Sequence, residues 1–331
     1  MSKNAVRMSD IAKELGISVV TVSKALSGKD GVGESLRQKI AQTAAQMGYQ
    51  PKNMERANEK PRTVGILIAH YLIKPEHSFY WALYLSVVEC LKEHNYNCMF
   101  EPVATDEQKP TLPAFVSNRT VEGIFVLGRM SHDYLQLLEQ TALPLVQIDS
   151  NCDAKAVCVI PNSYWGISEM TEYLIGKGHR KIGFVGSVDA NTHMQDCYYG
   201  YLKTLTFNKI ELHREWILPD RDGVEFKRSF DLPADMPTAF VCCSDQAAYH
   251  FVQDLQQKGY RIPADISVTG FYGYIFSTLV SPPLTTYGID LKSMAEQAVG
   301  AQISMIEHGS QKRGMQVVCG EIVERGSVLE I

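Results

Sequence analysis

"MSDIAKELGISVVTVSKALSG" (residues 8–28) reads as two short helices joined by a tight turn. Ile11, Ala12 and Leu15 form one apolar stripe at helical spacing, and Val22, Ala25 and Leu26 form a second. Gly16 falls where the first helix must stop, and glycine takes the left-handed conformation a sharp turn needs. Ser18 then N-caps the second helix, over about 20–27. A third stripe, Ile40, Ala44 and Met47, completes a compact three-helix module within residues 1–50. Two helices at this spacing, with a small residue inside and a glycine turn, make a helix-turn-helix. Its second helix is expected in the major groove, with Val22, Ala25 and Leu26 inward and Val19, Val20, Ser23 and Lys24 outward. Valines there suit thymine methyls, hydroxyls suit phosphates, and Lys24 suits a phosphate or a guanine edge.

Charge supports that reading. The 331-residue chain carries −5 overall, yet residues 1–54 hold eight Lys/Arg against four acids, a surplus of four positive charges. A basic head that meets a polyanion and an acidic body with another task follow from this asymmetry. Length alone implies two or more domains. Eight cysteines with no CxxC pair give no metal or redox motif, and reduced thiols, a cytoplasmic location and no membrane span are expected.

Residues 51–63, "PKNMERANEKPRT", are polar and bracketed by Pro51 and Pro61, a linker. From 64 the texture changes. Strand-like runs such as "VGILIA" (64–69), "GIFVLG" (123–128), "PLVQID" (144–149), "KIGFVG" (181–186) and "TAFVCCS" (238–244) alternate with helix-like stretches. That alternation implies an α/β body with parallel sheets covered on both faces, in two lobes divided near 160. A ligand would sit between them at the carboxyl ends of the strands.

"SDIAKELGISVVTVSKALSGKDGVGESLRQKIAQTAAQMGYQP" (9–51) resembles the head of the lactose-repressor (LacI/GalR) family. Further matches are "GHRKIGFVG" (178–186), "PTAFVCCSDQAA" (237–248), "GYRIPADISVTGF" (259–271) and "SPPLTTYGIDLKSMAEQAV" (281–299). The resemblance covers nearly the whole chain in order. It implies a homodimeric transcriptional regulator, with a head that reads a two-fold operator in double-stranded DNA. Its body resembles periplasmic sugar-binding proteins and holds a small effector. The chain then crosses between lobes three times: lobe 1 takes about 64–160 and 292–321, lobe 2 about 161–291 and 322–331. DNA contacts are expected from Ser9, Ser18, Val19, Val20, Thr21, Ser23, Lys24, Tyr49 and Asn58.

The departures shape the expected chemistry. The hinge reads Glu55 and Asn58 where the family usually carries Ala and a wedging Leu, so apolar wedging into the minor groove is not expected. Gly33 and Leu36 replace hydroxyl residues near the third helix, removing phosphate contacts or a cap. In the cleft, Cys197, Ser244 and Tyr272 stand where sugar-binding members carry Arg, Asn and Asp. The effector-binding set is His70, Phe79, Tyr80, Asn162, Cys197, Ser244, Asp245 and Tyr272. Fewer charged groups and more aromatic surface (Trp81 and Tyr274 included) point to a sugar, glycoside or nucleoside-like effector with an apolar or aromatic face, although each aromatic taken singly serves core packing equally well. His70, Glu76 and His77 read as a loop lining the cleft rather than a metal site. No cofactor is expected, and no nucleophile elbow or phosphate loop suggests an enzyme. Two alternatives remain: a regulator of this fold controlled by a partner protein, and a solute-binding protein, against which the basic head and the lack of a signal peptide argue.

Overall fold

The computed structural model describes residues 6–26, 31–47, 49, 62–73, 79–104, 110–150, 156–223, 225–310 and 313–331. The chain divides into two compact units, Met1–Pro61 and Arg62–Ile331.

In the first unit, α1 (Met8–Leu15), α2 (Val19–Leu26) and α3 (Glu34–Met47) enclose Ile11, Ala12, Val22, Ala25, Ile40 and Ala44. Gly16 has φ 64° and its N–H returns to the carbonyls of Ala12 and Lys13, which ends α1 within one residue. Ser18 Oγ accepts from Thr21 N at 3.1 Å and caps α2. Arg37 Nη1 donates to the Ala25 carbonyl at 3.2 Å, tying α3 to the last turn of α2. Gly33 offers α3 no side-chain cap; its carbonyl accepts the Arg37 N–H at 2.9 Å.

The second unit is built on two six-stranded sheets. The first holds β1 (Arg62–Ala69), β2 (Tyr96–Val103), β3 (Ile124–Leu127), β4 (Leu145–Ile148), β5 (Val157–Pro161) and β13 (Gly314–Val318), in the order β13-β5-β4-β3-β1-β2, all parallel. The second holds β6 (Ile182–Val185), β7 (Ile217–Leu218), β10 (Ala239–Cys242), β11 (Ser267–Tyr272), β12 (Thr285–Ile289) and β14 (Gly320–Val323), in the order β14-β12-β11-β10-β6-β7. Only the β12–β14 pair in this sheet is antiparallel. A small hairpin, β8 (Arg221–Asp222) with β9 (Glu225–Phe226), stands apart.

Strands buried on both faces need apolar residues at nearly every position. In β1, Ile66 and Ile68 face the core beneath α4 (Phe79–Glu93), and Leu67 and Ala69 face Phe115 and Tyr134 on the other side, from α5 (Ala114–Ser117) and α6 (His132–Glu139). Lobe 2 is covered by α7 (Ser163–Gly176), α8 (Thr192–Phe207) and α9 (Asp245–Gln257). Helices α7 and α8 approach closely because Gly200 has no side chain; a Cβ there would lie 2.2 Å from the Tyr164 carbonyl oxygen. The last helix, α10 (Leu291–His308), leaves lobe 2 after β12 and returns to lobe 1.

Two expected boundaries move. β1 starts at Arg62, not 64, because Arg62 and Thr63 already pair with Tyr96 and Asn97, so the linker's last two residues belong to the sheet. The third crossing falls at Cys319, between Val318 and Gly320, not after 321, because Gly320 and Glu321 pair with Ile289 and Gly288 in the second sheet. Among the described residues six cysteines are free, while Cys158 is disulfide-bonded, against the expectation that the thiols are reduced. No described helix is long and apolar enough to cross a membrane. No described group of three or more His, Cys, Asp or Glu could hold a metal ion.

Candidate functional site: a DNA-reading helix and an interlobe cleft

The first residues of α2 present side chains outward. Val19 is 47% exposed and Val20 64%, a high exposure for valines on a helix whose opposite face is fully buried. Ser9, Ser18, Ser23 and Lys24 are exposed, and Thr21 is half-buried with its hydroxyl 2.8 Å from that of Ser18. Tyr49 packs against the head's core. Asn58 and Glu55 lie outside the described residues, as do Glu76 and His77.

In the second unit, the carboxyl ends of the strands of both lobes converge on one aromatic cluster. Phe79, first in α4, and Tyr80 come from lobe 1. Tyr272, last in β11, comes from lobe 2 with φ 98°, a left-handed backbone costly for a residue with a Cβ. The Phe79 and Tyr272 ring centroids lie 4.2 Å apart, so the lobes touch through these two side chains. Tyr272 also stacks on His193 of α8 at 5.2 Å and 29°, and Tyr274 approaches Phe79 edge-on at 6.2 Å. Tyr80 Oη donates to Asp149 Oδ2 at 2.8 Å. A second tie between the lobes runs from Arg129 Nη1 to the Ala190 carbonyl at 2.9 Å. Ala190 also borders a groove of about 380 Å³ lined by Ser187, Asp189, Pro219 and Arg221.

Burial governs the titratable groups here. It pushes the Asp149 carboxyl up, with His193 and the Tyr80 hydroxyl opposing, and holds His193 below its ordinary value, with Asp149 opposing. The Tyr80 and Tyr272 phenols are raised well above theirs, so both remain O–H donors at neutral pH.

The expected effector residues divide. Phe79, Tyr80 and Tyr272 meet in the cluster. Asn162 stands at the start of α7, capping it by accepting Trp165 N at 3.1 Å. His70 is exposed on a short 3₁₀ turn, His70–Leu72. Cys197, Ser244 and Asp245 are buried in the wall of lobe 2, with Cys197 Sγ 3.6 Å from His193 Nε2. Cys197 lies on the inner stripe of α8, and burial pushes its thiol well up. Ser244 Oγ is spent on capping α9 through Ala247 N. Asp245 accepts from Thr286 Oγ1 at 2.5 Å and Tyr274 N at 2.9 Å, and burial raises its carboxyl to about 7.

Three residues absent from the expected set stand at the contact between the lobes: Asp149, His193 and Arg129. Asp149 closes "PLVQID" at a strand's carboxyl end, where open α/β sheets bind ligands, and that position was the available signal. His193 and Arg129 carried none.

The head and body together define a helix-turn-helix DNA-binding protein with a two-lobed, ligand-type cleft. A profile for bacterial regulatory proteins of the lacI family matches residues 7–52, and one for a periplasmic binding protein-like domain matches 171–328. The chain is 27% identical to the HTH-type transcriptional repressor PurR of Pasteurella multocida (strain Pm70) over 332 residues, covering 96% of this chain and 97% of the relative. It is 26% identical to the ribose operon repressor of Haemophilus influenzae (strain ATCC 51907 / DSM 11121 / KW20 / Rd), covering 98% and 99%. Its fold resembles the transcriptional regulator CelR–cellobiose complex (TM-score 0.70, 18% identity, 97% and 99% covered). It also resembles the lac repressor dimer bound to operator and the anti-inducer ONPF (TM-score 0.64, 19% identity, 98% and 100% covered). The chain carries a lacI-type regulatory head followed by a periplasmic binding protein-like domain, and is a DNA-binding transcriptional regulator.

Proposed function

We propose that this regulator is a homodimeric repressor, acting in the cytoplasm, whose hold on a two-fold operator is set by a small effector with a flat, weakly polar face. An aryl glycoside, a nucleoside or a larger oligosaccharide has such a face. The effector lies between the lobes against Tyr272. The observation that carries this is the stack of Phe79, Tyr272 and His193, contributed by both lobes at the strand ends. A flat ligand recovers burial and stacking there, whereas a free monosaccharide needs several charged or bidentate hydrogen bonds to offset its own desolvation. Cys197 supplies none, and Ser244 and Asp245 direct theirs inward. The repressors among the relatives, and the fold shared with complexes of cellobiose and of an anti-inducer with operator, support the same reading.

On the DNA side, Ser9, Ser18, Val19, Val20, Thr21, Ser23 and Lys24 form the reading surface, with Tyr49 behind it and Asn58 in the hinge. One head makes few base contacts. Two heads joined by a dimeric body gain from effective concentration and read paired half-sites. The role is binding, with no reaction assigned.

Gel shifts of the purified chain with genomic fragments, without and with candidate effectors, test the operator half. Calorimetric titration with monosaccharides, aryl glycosides, nucleosides and cello-oligosaccharides tests the cleft. Tyr272→Ala is expected to weaken the preferred ligand by roughly 1–2 kcal/mol through lost burial and stacking. Tight binding of a plain monosaccharide, unchanged by Tyr272→Ala, overturns the effector class.

A further inference from the structure

We infer that His193 is a positioning residue that fixes the polarity of the cleft: it holds the Tyr272 hydroxyl as a hydrogen-bond donor, so that the effector must present an acceptor to it. The inference rests on the proposed binding of a flat effector at Tyr272 and adds the pattern by which that effector is chosen.

The argument starts from a backbone carbonyl. His193 Nε2 lies 3.2 Å from the Cys243 carbonyl oxygen. A carbonyl only accepts, so Nε2 carries the proton. Burial keeps the imidazole neutral, which leaves Nδ1 without a proton. Nδ1 then accepts, and Ser163 Oγ, 2.7 Å away, donates to it. Both ring nitrogens are thereby committed, and a tautomer flip would set Nε2 lone pair against carbonyl lone pair.

Tyr272 Oη lies 3.3 Å from the same Nε2. Since Nε2 is the donor, its hydrogen is shared between the Cys243 carbonyl and Tyr272 Oη, and the phenol oxygen accepts. The phenol's own hydrogen is not used in that contact, and no described residue accepts it. The raised phenol keeps that hydrogen at neutral pH. A residue in a strained backbone conformation, packed against two rings and with its hydroxyl oriented by His193, is thus left with one open donor. Asp149 of the opposite lobe already spends Oδ2 on the Tyr80 hydroxyl. The preferred effector is therefore a planar group bearing a carbonyl or ring-nitrogen acceptor at its edge, not a bare hydrocarbon ring.

The test has two independent arms on the full chain. Selective ¹⁵N labelling of histidine, with His193 assigned through His193→Gln, reports the tautomer without any ligand. The Nε2–H form is expected, and the Nδ1–H form overturns the inference. In the second arm, phenyl β-D-glucoside and its three acetylphenyl isomers are titrated by calorimetry. Wild type is expected to favour one acetylphenyl isomer about five-fold, the range of one net hydrogen bond. Tyr272→Phe, which keeps the ring, and His193→Leu should erase that preference while still binding phenyl β-D-glucoside and the acetylphenyl isomers. His193→Gln, whose amide can donate to Tyr272 and accept from Ser163, should retain it. Equal binding by wild type, or a preference that survives Tyr272→Phe, overturns the inference. Failure of every aryl glucoside to bind wild type counts against the flat-effector reading instead, and the tautomer then decides this one.

Discussion

Replacing Asp245 by Asn changes how stability depends on pH, and the size of the change follows from the carboxyl's surroundings. Asp245 is fully buried, and its carboxyl sits at about 7 in the fold against an ordinary value of 3.8. A raised acid binds its proton more tightly in the folded state than in the unfolded one. Its contribution is therefore fully present below about pH 4 and is lost as pH rises to about 7. Three units correspond to about 4 kcal/mol, of which about 3 kcal/mol falls between pH 5 and 8. Asparagine imitates the protonated acid. Its oxygen can accept from Tyr274 N, and its amide can donate to Thr286 Oγ1, the one partner of the pair able to reverse. His179 and His193, both held low by burial, act in the opposite direction, gaining stability as pH rises towards 6.5. The wild-type curve alone is therefore ambiguous, and the difference between wild type and Asp245→Asn isolates the carboxyl. Urea unfolding of both proteins at pH 5, 6, 7 and 8 should show the variant gaining on wild type by about 3 kcal/mol across the series, mostly below pH 7. A difference that stays constant from pH 5 to 8 refutes the reasoning.

Other outcomes follow from the head and the lobe contact. Val19→Ala or Val20→Ala should relax preference at one base pair per half-site by about 1 kcal/mol, read by site selection from a random library, with unchanged selectivity the contrary result. Lys24→Ala should either lose discrimination at a single base pair or weaken all sequences evenly and reduce the salt slope by about 0.9; a variant with wild-type affinity and slope removes Lys24 from the interface. Arg129→Met removes the tie to the Ala190 carbonyl and should increase the ligand-free radius of gyration in small-angle scattering, whereas an unchanged profile would mean the aromatic contact alone holds the lobes.

The helix-turn-helix was legible because its signals are local. Ile11, Ala12, Val22 and Ala25 declare their faces within one window, and Gly16 marks the turn. Most of the strands buried on both faces were legible for a similar reason, as continuous apolar runs such as "VGILIA", though Val157–Pro161 and Thr285–Ile289 were not among them. The last two strands were not. Gly314–Val318 and Gly320–Val323 form sheet edges, carry exposed Met315, Val317 and Glu321, and find their partners far back in the chain. The cleft was half legible. Aromatic residues near strand ends flagged Phe79 and Tyr272, but motif position alone drew attention to Asp245 and Cys197, whose burial depends on helix phase. His193 matters through a carbonyl fifty residues away, and nothing around "NTHMQ" signals that meeting.

The ring-on-ring contact between Phe79 and Tyr272 also has a consequence for affinity. A ligand that stacks on Tyr272 enters no vacancy; it exchanges with a phenyl ring tethered to the same molecule. Such a tethered competitor acts at an effective concentration on the order of mM or above. Each effector's dissociation constant is then a ratio of two stackings, its own and that of Phe79. Only the stacking and burial by which an effector exceeds Phe79 then count towards its affinity, and polar edge contacts add to that surplus. A cleft stoppered by its own side chain thereby ignores casual aromatic metabolites and answers to those that surpass Phe79.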